Sequence, residues 1–380
     1  MPKETAPKKP LWRQILSFLL ASILLTLILY ALFRIGVNVK LPVPAESEIA
    51  ASGRSPGFRV PELLAAGKSD ALDGLVRVPK VYRLPEDTLV APMPDPAGYG
   101  STKDPAEVAA VIAEAGELLG ERTLAWNETT PFYEPDGIQY YRDDSILSVV
   151  WNEYCSGNRF VTYAEVVIKD ASQLRRKLSG DKYGEGILLY PTEMAKNTNA
   201  VLAASGDFYR FRPCGVTVYQ REVYRWDGEK VDTCFFDTAG NMNFVYAGEM
   251  TDKEQVERYV KEHDITFSLS FGPVLIDRGV NVTPKRYYLG EVYDTYPRCA
   301  IGQLGELHYL VVVVSRDAKI DYVGEIMERM GCEMAYTLDG GQSGTIVLGG
   351  ERRNVHTIYQ SQRSQSDIIY FATAIPEDGG

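Results

Sequence analysis

The sequence contains little cysteine and little histidine, with five cysteines and three histidines among 380 residues. The cysteines are widely spaced and form no Cys-X-X-Cys pair, which excludes the usual zinc-site spacings and a dense disulfide scaffold. Cys214 and Cys234 flank an expected hairpin and are a candidate disulfide pair in an oxidising compartment. The histidines have no second ligand at helical or turn spacing. We therefore predict no metal site and no cofactor, and a divalent-metal requirement stays open.

The sequence also has fewer cations than carboxylates, with 40 lysines and arginines against 51 aspartates and glutamates. The formal net charge is −11, and residues 1–14 carry four cations against one carboxylate, so the remainder carries about −14. This excess of carboxylates argues against a nucleic-acid partner, because the phosphates of such a partner would be repelled. Any phosphate-binding site must therefore be local and built from a few aimed groups.

One apolar run near the N-terminus is long enough to cross a membrane. Residues Ile15–Phe33 read ILSFLLASILLTLILYALF, without charge or proline. As a helix they span about 28 Å, close to the roughly 30 Å hydrocarbon core of a bilayer. The cations in residues 1–14 predict that this tail is cytoplasmic and that the rest of the chain is extracytoplasmic. A cleaved signal peptide is the alternative, but its apolar core is usually shorter, about 7–15 residues. We predict a single-pass cell-membrane protein.

Residues 34–134 are predicted to form a stalk with a short helical element. The stretch up to about residue 100 is rich in proline, alanine and glycine and has weak periodicity, which is typical of extended chain. A helix is then predicted to begin at Pro105 behind the N-cap Asp104, with Glu107 completing a capping box, and to end at Gly120.

Residues 135–376 are predicted to form one α+β domain, strand-dominated, with a mixed sheet and few helices. HYLVVVVS, which begins at His308, is apolar on both faces and is predicted to be a central strand. Three helices are predicted: a short one between Asp170 and Gly180, one behind a Thr251/Glu254 capping box, and one over residues 321–331.

Four stretches carry residue types suited to a binding site: Ala203–Tyr209, Pro297–Gly302, Thr337–Thr345 and Gln362–Tyr370. In the third, a predicted strand ends in Asp339 and is followed by Gly340 and Gly341. Paired glycines let the backbone approach a ligand and turn its N–H groups outward. An ordinary hairpin turn with a locally bonded aspartate is the alternative.

Asp207 and Arg298 are individually weak signals, since an aspartate at a strand end and a surface arginine are common. Together, two carboxylates, one arginine and a glycine-lined set of amides would suit a sugar-phosphate site.

The order of these segments resembles the phosphodiester glycosidase family over roughly residues 160–375. Members include the uncovering enzyme of the lysosomal pathway and bacterial proteins related to exopolysaccharide. The family's Arg-Thr-Ala-Ile-Gly element is met by Arg298–Gly302, and its Leu-Asp-Gly-Gly-Gly-Ser element by Leu338–Gly344. This chain departs from the family pattern at Ser205, which replaces an asparagine, and at Gln342 and Gly344.

The resemblance implies a membrane-anchored extracytoplasmic hydrolase that cleaves a sugar-1-phosphodiester in a cell-surface or lipid-linked glycan. The implied catalytic residues are Asp339 or Asp207, which would activate water or stabilise the anomeric centre. The implied substrate- and phosphate-binding residues are Arg298, Gly340, Gly341, Gln342, Ser343, Ser205, Gly206 and Arg363. Arg363 would either close the site or pair near the last strand.

The alternative hypothesis is a non-catalytic protein of the same fold that binds surface glycans or assists exopolysaccharide assembly. The three departures from the family pattern favour it.

Overall fold

The structure is a computed structural model that describes residues 82–86, 88–184, 186–288 and 294–374. The predicted cytoplasmic tail, the predicted membrane anchor and residues 34–81 of the predicted stalk lie outside the described residues. Within the described ranges, no helix combines the length and the apolar character that crossing a membrane requires.

The described residues contain five α-helices and nineteen strands. Helices α1 to α5 are Pro105–Glu114, Gly116–Leu119, Pro191–Asn197, Lys253–Glu262 and Ile320–Arg329. Strands β1 to β19 are Tyr99–Thr102, Ile138–Arg142, Ile146–Cys155, Arg159–Ile168, Leu174–Leu178, Ala200–Ser205, Gly215–Tyr219, Glu222–Asp227, Thr233–Asp237, Met242–Val245, Ile265–Leu269, Val274–Asp277, Val280–Asn281, Tyr296–Gly305, His308–Ala318, Met334–Leu338, Ile346–Leu348, Glu351–Arg352 and Asp367–Ala372.

Two sheets form the body of the fold. A nine-stranded sheet has the order β1-β2-β3-β4-β15-β14-β16-β12-β13, and a five-stranded sheet has the order β18-β17-β6-β19-β5. Every strand pairing among the described residues is antiparallel. The predicted α+β, strand-dominated class is confirmed, but the predicted mixed sheet is wrong. Parallel neighbours need a long crossover connection, whereas tight turns join β3 to β4 and β14 to β15.

The core lies on both faces of the nine-stranded sheet. Val311 and Val313 of β15 face the five-stranded sheet, in a cluster with Ile369 and Phe371. Val312 and Val314 face the other side, which α1, α2 and α5 cover. The prediction that the His308 strand is central is therefore confirmed, since β15 is the fifth of nine strands and is buried on both faces.

The helix predictions have mixed outcomes. The helix start at Pro105 is confirmed, with the Asp104 carboxylate accepting from the Ala106 amide. The single helix predicted up to Gly120 is wrong, because α1 ends at Glu114 and the separate helix α2 precedes Gly120, which has a φ of 59°. The helix after residue 320 is confirmed as α5. The N-cap predicted at Thr251 is wrong by one residue, because Asp252 accepts from the Gln255 amide and caps α4.

The short helix predicted between Asp170 and Gly180 is wrong. Asp170 and Gln173 form a capping box, but it opens only a 3₁₀ turn at Ala171–Gln173. The chain then continues as β5, which pairs with β19 along its whole length. Pairing with a distant strand therefore overrides the local helix-start signal.

The residues before 135 also join this structure. Strand β1 pairs with β2 in the nine-stranded sheet, and α1 and α2 pack on that sheet. All five cysteines are free thiols, so the candidate pair Cys214 and Cys234 does not form a disulfide in the structure.

Candidate active site

Three chain segments meet at one end of the interface between the two sheets. Strand β6 ends at Ser205, β16 ends just before Asp339, and β19 begins at Asp367. The Asp339 amide donates to the Gly206 carbonyl at 3.1 Å, and the Asp207 amide donates to both carboxylate oxygens of Asp367 at 3.1 Å. The structure therefore brings together the two carboxylates predicted from sequence, Asp207 and Asp339, and adds a third.

Below these loops, Arg176 joins two of the carboxylates in a buried ion-pair group. Its Nε donates to Asp367 Oδ2 at 2.8 Å, and its Nη2 lies 3.8 Å from Asp207 Oδ2. The three side chains are no more than 1% exposed. Two carboxylates against one guanidinium leave a net charge of −1 in this group. Burial raises the pKa of Asp367 to about 6, because the opposing effect of Arg176 is smaller and Asp207 raises it further.

Asp207 is held from several directions. The Ser270 amide donates to its Oδ2 at 2.8 Å, and the Ser366 hydroxyl lies 3.4 Å from its carbonyl oxygen. Its other carboxylate oxygen, Oδ1, is buried and has no hydrogen-bond partner among the described residues. Burying a carboxylate oxygen without a hydrogen-bond partner costs free energy. Such oxygens are common in active sites, where the charge takes part in binding or catalysis.

Asp339 lies closer to the surface and is 9% exposed. Burial raises its pKa to about 7. A hydrogen bond from Ser343 and the charge of Arg363 lower it, while the charges of Asp367 and Asp207 raise it. A carboxyl group with a pKa near 7 can exchange a proton at neutral pH, as a general base or acid must.

The loop after Asp339 is fixed by close packing and buried polar side chains. A Cβ at Gly340 would lie 2.7 Å from the Pro297 carbonyl oxygen, so only glycine fits there. Gly341 has a φ of 58°, in the left-handed region that favours glycine. The Ser343 carbonyl accepts from Ser205 Oγ at 2.6 Å and from Gln365 Nε2 at 2.7 Å. Ser205, one of the departures from the family pattern, therefore positions this loop.

The amides of this loop are partly engaged within the protein. The Gly341 amide donates to the Pro297 carbonyl at 2.7 Å, and the Ser343 amide donates to the Gly340 carbonyl at 2.9 Å. These two amides are therefore not aimed at a ligand in this conformation.

Arg298 is on a different face from the carboxylates. Its guanidinium donates to the carbonyls of Ala318 at 3.0 Å and Asp294 at 2.7 Å. Its strand partner Val314 belongs to the cluster under the helices, whereas the next residue, Cys299, faces the interface between the sheets. The structure therefore does not bring the Arg298 guanidinium together with Asp207 and Asp339.

A comparison with known protein families matches most of the chain that forms this site to one family. The sequence model of the phosphodiester glycosidase family matches residues 198–372. These residues form a phosphodiester glycosidase domain. The match includes Asp207, Asp339 and Asp367, whereas Arg176 lies before it.

The fold is similar to that of a solved catalytic domain. The zebrafish N-acetylglucosamine-1-phosphodiester α-N-acetylglucosaminidase catalytic domain, auto-inhibited by its pro-peptide, is similar with a TM-score of 0.51 and 16% identity. The similarity covers 61% of this chain and 84% of that one. A hypothetical protein from Synechocystis is similar with a TM-score of 0.41 and 14% identity, over 64% of each chain. No curated protein matches the sequence.

At the rim of the site, the phosphodiester glycosidase domain presents a cation above aromatic rings. The Arg363 guanidinium lies 5.8 Å from the ring centroids of both Phe208 and Phe211. Phe211 is 43% exposed, so one part of its ring faces solvent. Gln342 reaches Ser361 at 3.4 Å, on the same loop as Arg363. Arg363 therefore places beside an exposed aromatic ring a positive charge that lowers the pKa of Asp339.

Sequence reasoning missed two members of the site. Asp367 lies in the stretch Gln362–Tyr370, where an aspartate at the first position of the otherwise apolar β19 was the available signal. Arg176 lies between Leu174 and Leu178 at alternate positions of β5, so a period-two pattern placed a charge on a buried face. The helix-capping signal at Asp170 led to the prediction of a helix for this segment instead of a strand. Among the described residues, no three His, Cys, Asp or Glu side chains are grouped to hold a metal ion.

Proposed function

We propose that this protein hydrolyses a sugar-1-phosphodiester, releasing a free sugar and a phosphomonoester. The observation that carries the proposal is Asp339, a residue 9% exposed whose carboxyl group has a pKa of about 7, beside the buried Asp207–Arg176–Asp367 group. The family assignment of residues 198–372 supports this reaction class. So does the name of the similar zebrafish enzyme, which acts on N-acetylglucosamine-1-phosphodiester.

The chemistry of the substrate fits the groups present. The leaving group is a phosphate ester, which is a weak base and needs little help from a general acid, unlike an ordinary glycoside. The demand on the protein is then a base for the attacking water and positive charge near the phosphate. In our proposal Asp339, as the carboxylate, takes a proton from water while the oxygen of that water bonds to the anomeric carbon. The bond from the anomeric carbon to the phosphate oxygen breaks, and its electron pair leaves with the phosphate.

Arg363 is the cation that we assign to the phosphate. Its guanidinium lies at the rim of the site, and its positive charge lowers the pKa of Asp339. A guanidinium can bind two phosphate oxygens at once, which orients the diester as well as neutralising it. Arg298 remains the prediction from sequence, but its position on the helix-covered side of β14 favours Arg363 for this role.

The reaction is tested with the full chain and a synthetic N-acetylglucosamine 1-phosphodiester, followed by release of the free sugar. We expect turnover by wild type, loss of at least about a hundredfold in kcat for Asp339→Asn, and a raised KM for Arg363→Gln. Asp317→Asn, at an exposed residue away from the site, is the matched control. The proposal fails if folded wild type turns over no member of a panel of sugar 1-phosphodiesters.

We also propose that the domain works outside the cytoplasm on a surface or lipid-linked glycan, tethered by residues 15–33. The uncharged apolar run and the cations before it support this location. A C-terminal reporter that matures only outside the cytoplasm should be active, and the protein should stay with membranes after a carbonate wash. Release into the soluble fraction would contradict the tether.

A non-catalytic glycan-binding role is the second candidate. The internally bonded amides of Gly341 and Ser343, and the departures at Gln342 and Gly344, favour it. Saturable binding of a phosphodiester glycan that is recovered uncleaved would support this candidate over hydrolysis.

A further inference from the structure

A cavity of about 530 Å³ lies at the edge of the five-stranded sheet. It is bounded by β5, by the turn between β7 and β8, by β11 and by the segment before residue 90. Asp207, Asp339 and Arg363 do not line it, whereas Arg176, which pairs with Asp207 and Asp367, forms part of its wall. Its volume falls in the range of about 300–1,000 Å³ that is typical of small-molecule sites.

The cations of this cavity are incompletely neutralised. Arg175 donates only to backbone carbonyls, those of Pro85, Glu86 and Ser172, which accept its hydrogen bonds without cancelling its charge. Arg83 is exposed and has no hydrogen-bond or ion-pair partner among the described residues. The charges of both guanidiniums help to lower the pKa of the nearby Glu86, but neither forms an ion pair with its carboxylate, so both remain available to an anion.

The carboxylates of the cavity are already committed. Glu86 binds Arg221 through both oxygens, at 2.8 Å and 3.0 Å. Asp170 accepts from the amide and hydroxyl of Ser172, and Asp237 accepts from the amides of a tight turn. In a chain with a net charge of −11, this cavity is a local site of positive potential.

The neutral groups of the cavity favour a hydroxylated ligand. The side chains of Thr88, Gln220 and Thr238 line it and have no hydrogen-bond partner within the described ranges. The aromatic residues there, Tyr219, Phe267 and Tyr370, are at most 4% exposed. No open ring face of these three residues is available for a nucleobase, whose binding depends strongly on stacking.

We propose that this cavity binds a phosphorylated saccharide, with the phosphate at Arg83 and Arg175 and the sugar hydroxyls at Thr88, Gln220 and Thr238. It is a binding site separate from the proposed cleavage site, and it does not depend on that activity. On a protein that faces an anionic glycan, such a site would hold a second sugar phosphate away from Asp339.

The test measures binding of glucose 6-phosphate to the full chain by calorimetry, with glucose, inorganic phosphate and AMP as comparison ligands. Arg83→Gln removes a cation that makes no hydrogen bond or ion pair within the described ranges. Thr238→Glu places a carboxylate in the cavity from an exposed turn, and Thr238→Gln is its neutral match. Arg278→Gln, at a remote side chain that is 90% exposed, is the control for charge.

We expect glucose 6-phosphate to bind more tightly than the three comparison ligands. Arg83→Gln and Thr238→Glu should each weaken it about tenfold, while Thr238→Gln and Arg278→Gln stay within about twofold of wild type. Equal affinity in wild type, Arg83→Gln and Thr238→Glu would overturn the site. Equal or tighter binding of inorganic phosphate or AMP would overturn the assignment to a saccharide. Hydrolysis by Asp339 should be unchanged in these variants, so failure of this proposal is distinguishable from failure of the proposed reaction.

Discussion

At Asp339, burial and two neighbouring carboxylates act against one hydroxyl and one guanidinium. The result is a pKa of about 7, compared with an ordinary value near 4. Asp207, by contrast, is deeper and is fixed by a backbone amide and by Arg176. The two aspartates predicted from sequence therefore differ in accessibility, and Asp339 is the one placed to exchange protons with a substrate or with water.

The first residue-scale prediction concerns the pH dependence of turnover. If Asp339 acts as a base, kcat/KM should rise with pH, with a midpoint near 7 and a plateau above pH 8, because the carboxylate is the active form. Initial rates on a sugar 1-phosphodiester between pH 5 and 9 check this. Rates that fall above pH 7 would instead assign Asp339 as a general acid.

The second residue-scale prediction concerns stability. Since the folded pKa of Asp339 is raised, the folded state binds a proton more tightly than the unfolded state between about pH 4 and pH 7. This stabilisation is complete below about pH 4 and is lost as the pH rises through 7. Asp339→Asn should therefore increase the free energy of unfolding at pH 8, by on the order of 1–3 kcal/mol, and much less at pH 4.

Urea denaturation of wild type and Asp339→Asn at both pH values provides the measurement. Asp317→Asn is the control, since Asp317 is exposed and asparagine tolerates its positive φ. A variant that is less stable than wild type at pH 8 would contradict the conclusion that the ionised Asp339 carboxylate destabilises the folded state.

At the scale of elements, strand β5 carries the cation of the site. Its alternation places Leu174, Arg176 and Leu178 on one buried face of the strand, where Arg176 reaches both buried carboxylates. If these residues had formed the helix predicted after Asp170, Arg176 would not lie on the same face as Leu174 and Leu178. The role of this arginine therefore depends on the pairing of β5 with β19, a contact nearly 200 residues away in sequence.

Arg176→Met tests that role. It leaves Asp207 and Asp367 buried together without a counter-charge, which should cost about 3–5 kcal/mol at pH 8. The loss should shrink at pH 5.5, since protonation removes the repulsion. The double variant Arg176→Met/Asp367→Asn should recover part of the stability, as measured by urea denaturation. The Arg176 Nη1 also donates to the Ser268 carbonyl. No recovery would mean that the arginine stabilises the fold only through that hydrogen bond.

The elements also show what local sequence could and could not predict. Asp207 and Asp339 were found because each follows an apolar strand and adjoins glycine, a pattern that is visible within a few residues. The placement of Arg298 depends on which face its strand turns toward the five-stranded sheet. That face is set by the register of β14 against β15 and by the bulge between Tyr296 and Arg298, which no local pattern encodes.

At the scale of the whole molecule, the segment before residue 135 completes the main domain. Residues of α1 and α2 and Trp126 cover one face of the nine-stranded sheet, together with α5. The amides of Ala125 and Trp126 also donate to the carboxylate of Glu165 at 2.6 Å and 2.9 Å. Glu165 is 1% exposed, and His308 is its other partner at 2.7 Å.

A chain that begins at residue 135, the predicted start of the domain, should therefore not fold stably. It would expose the apolar face under α1 and α2 and leave the buried Glu165 carboxylate without its two amide donors, a loss of several kcal/mol from the carboxylate alone. A chain that begins at residue 82 retains all of these contacts. Circular dichroism melting and gel filtration of the two chains should give a cooperative, monodisperse protein only for the longer one. Equal melting temperatures would restore the boundary predicted at residue 135, because they would mean that strands β2 to β19 fold without the preceding helices.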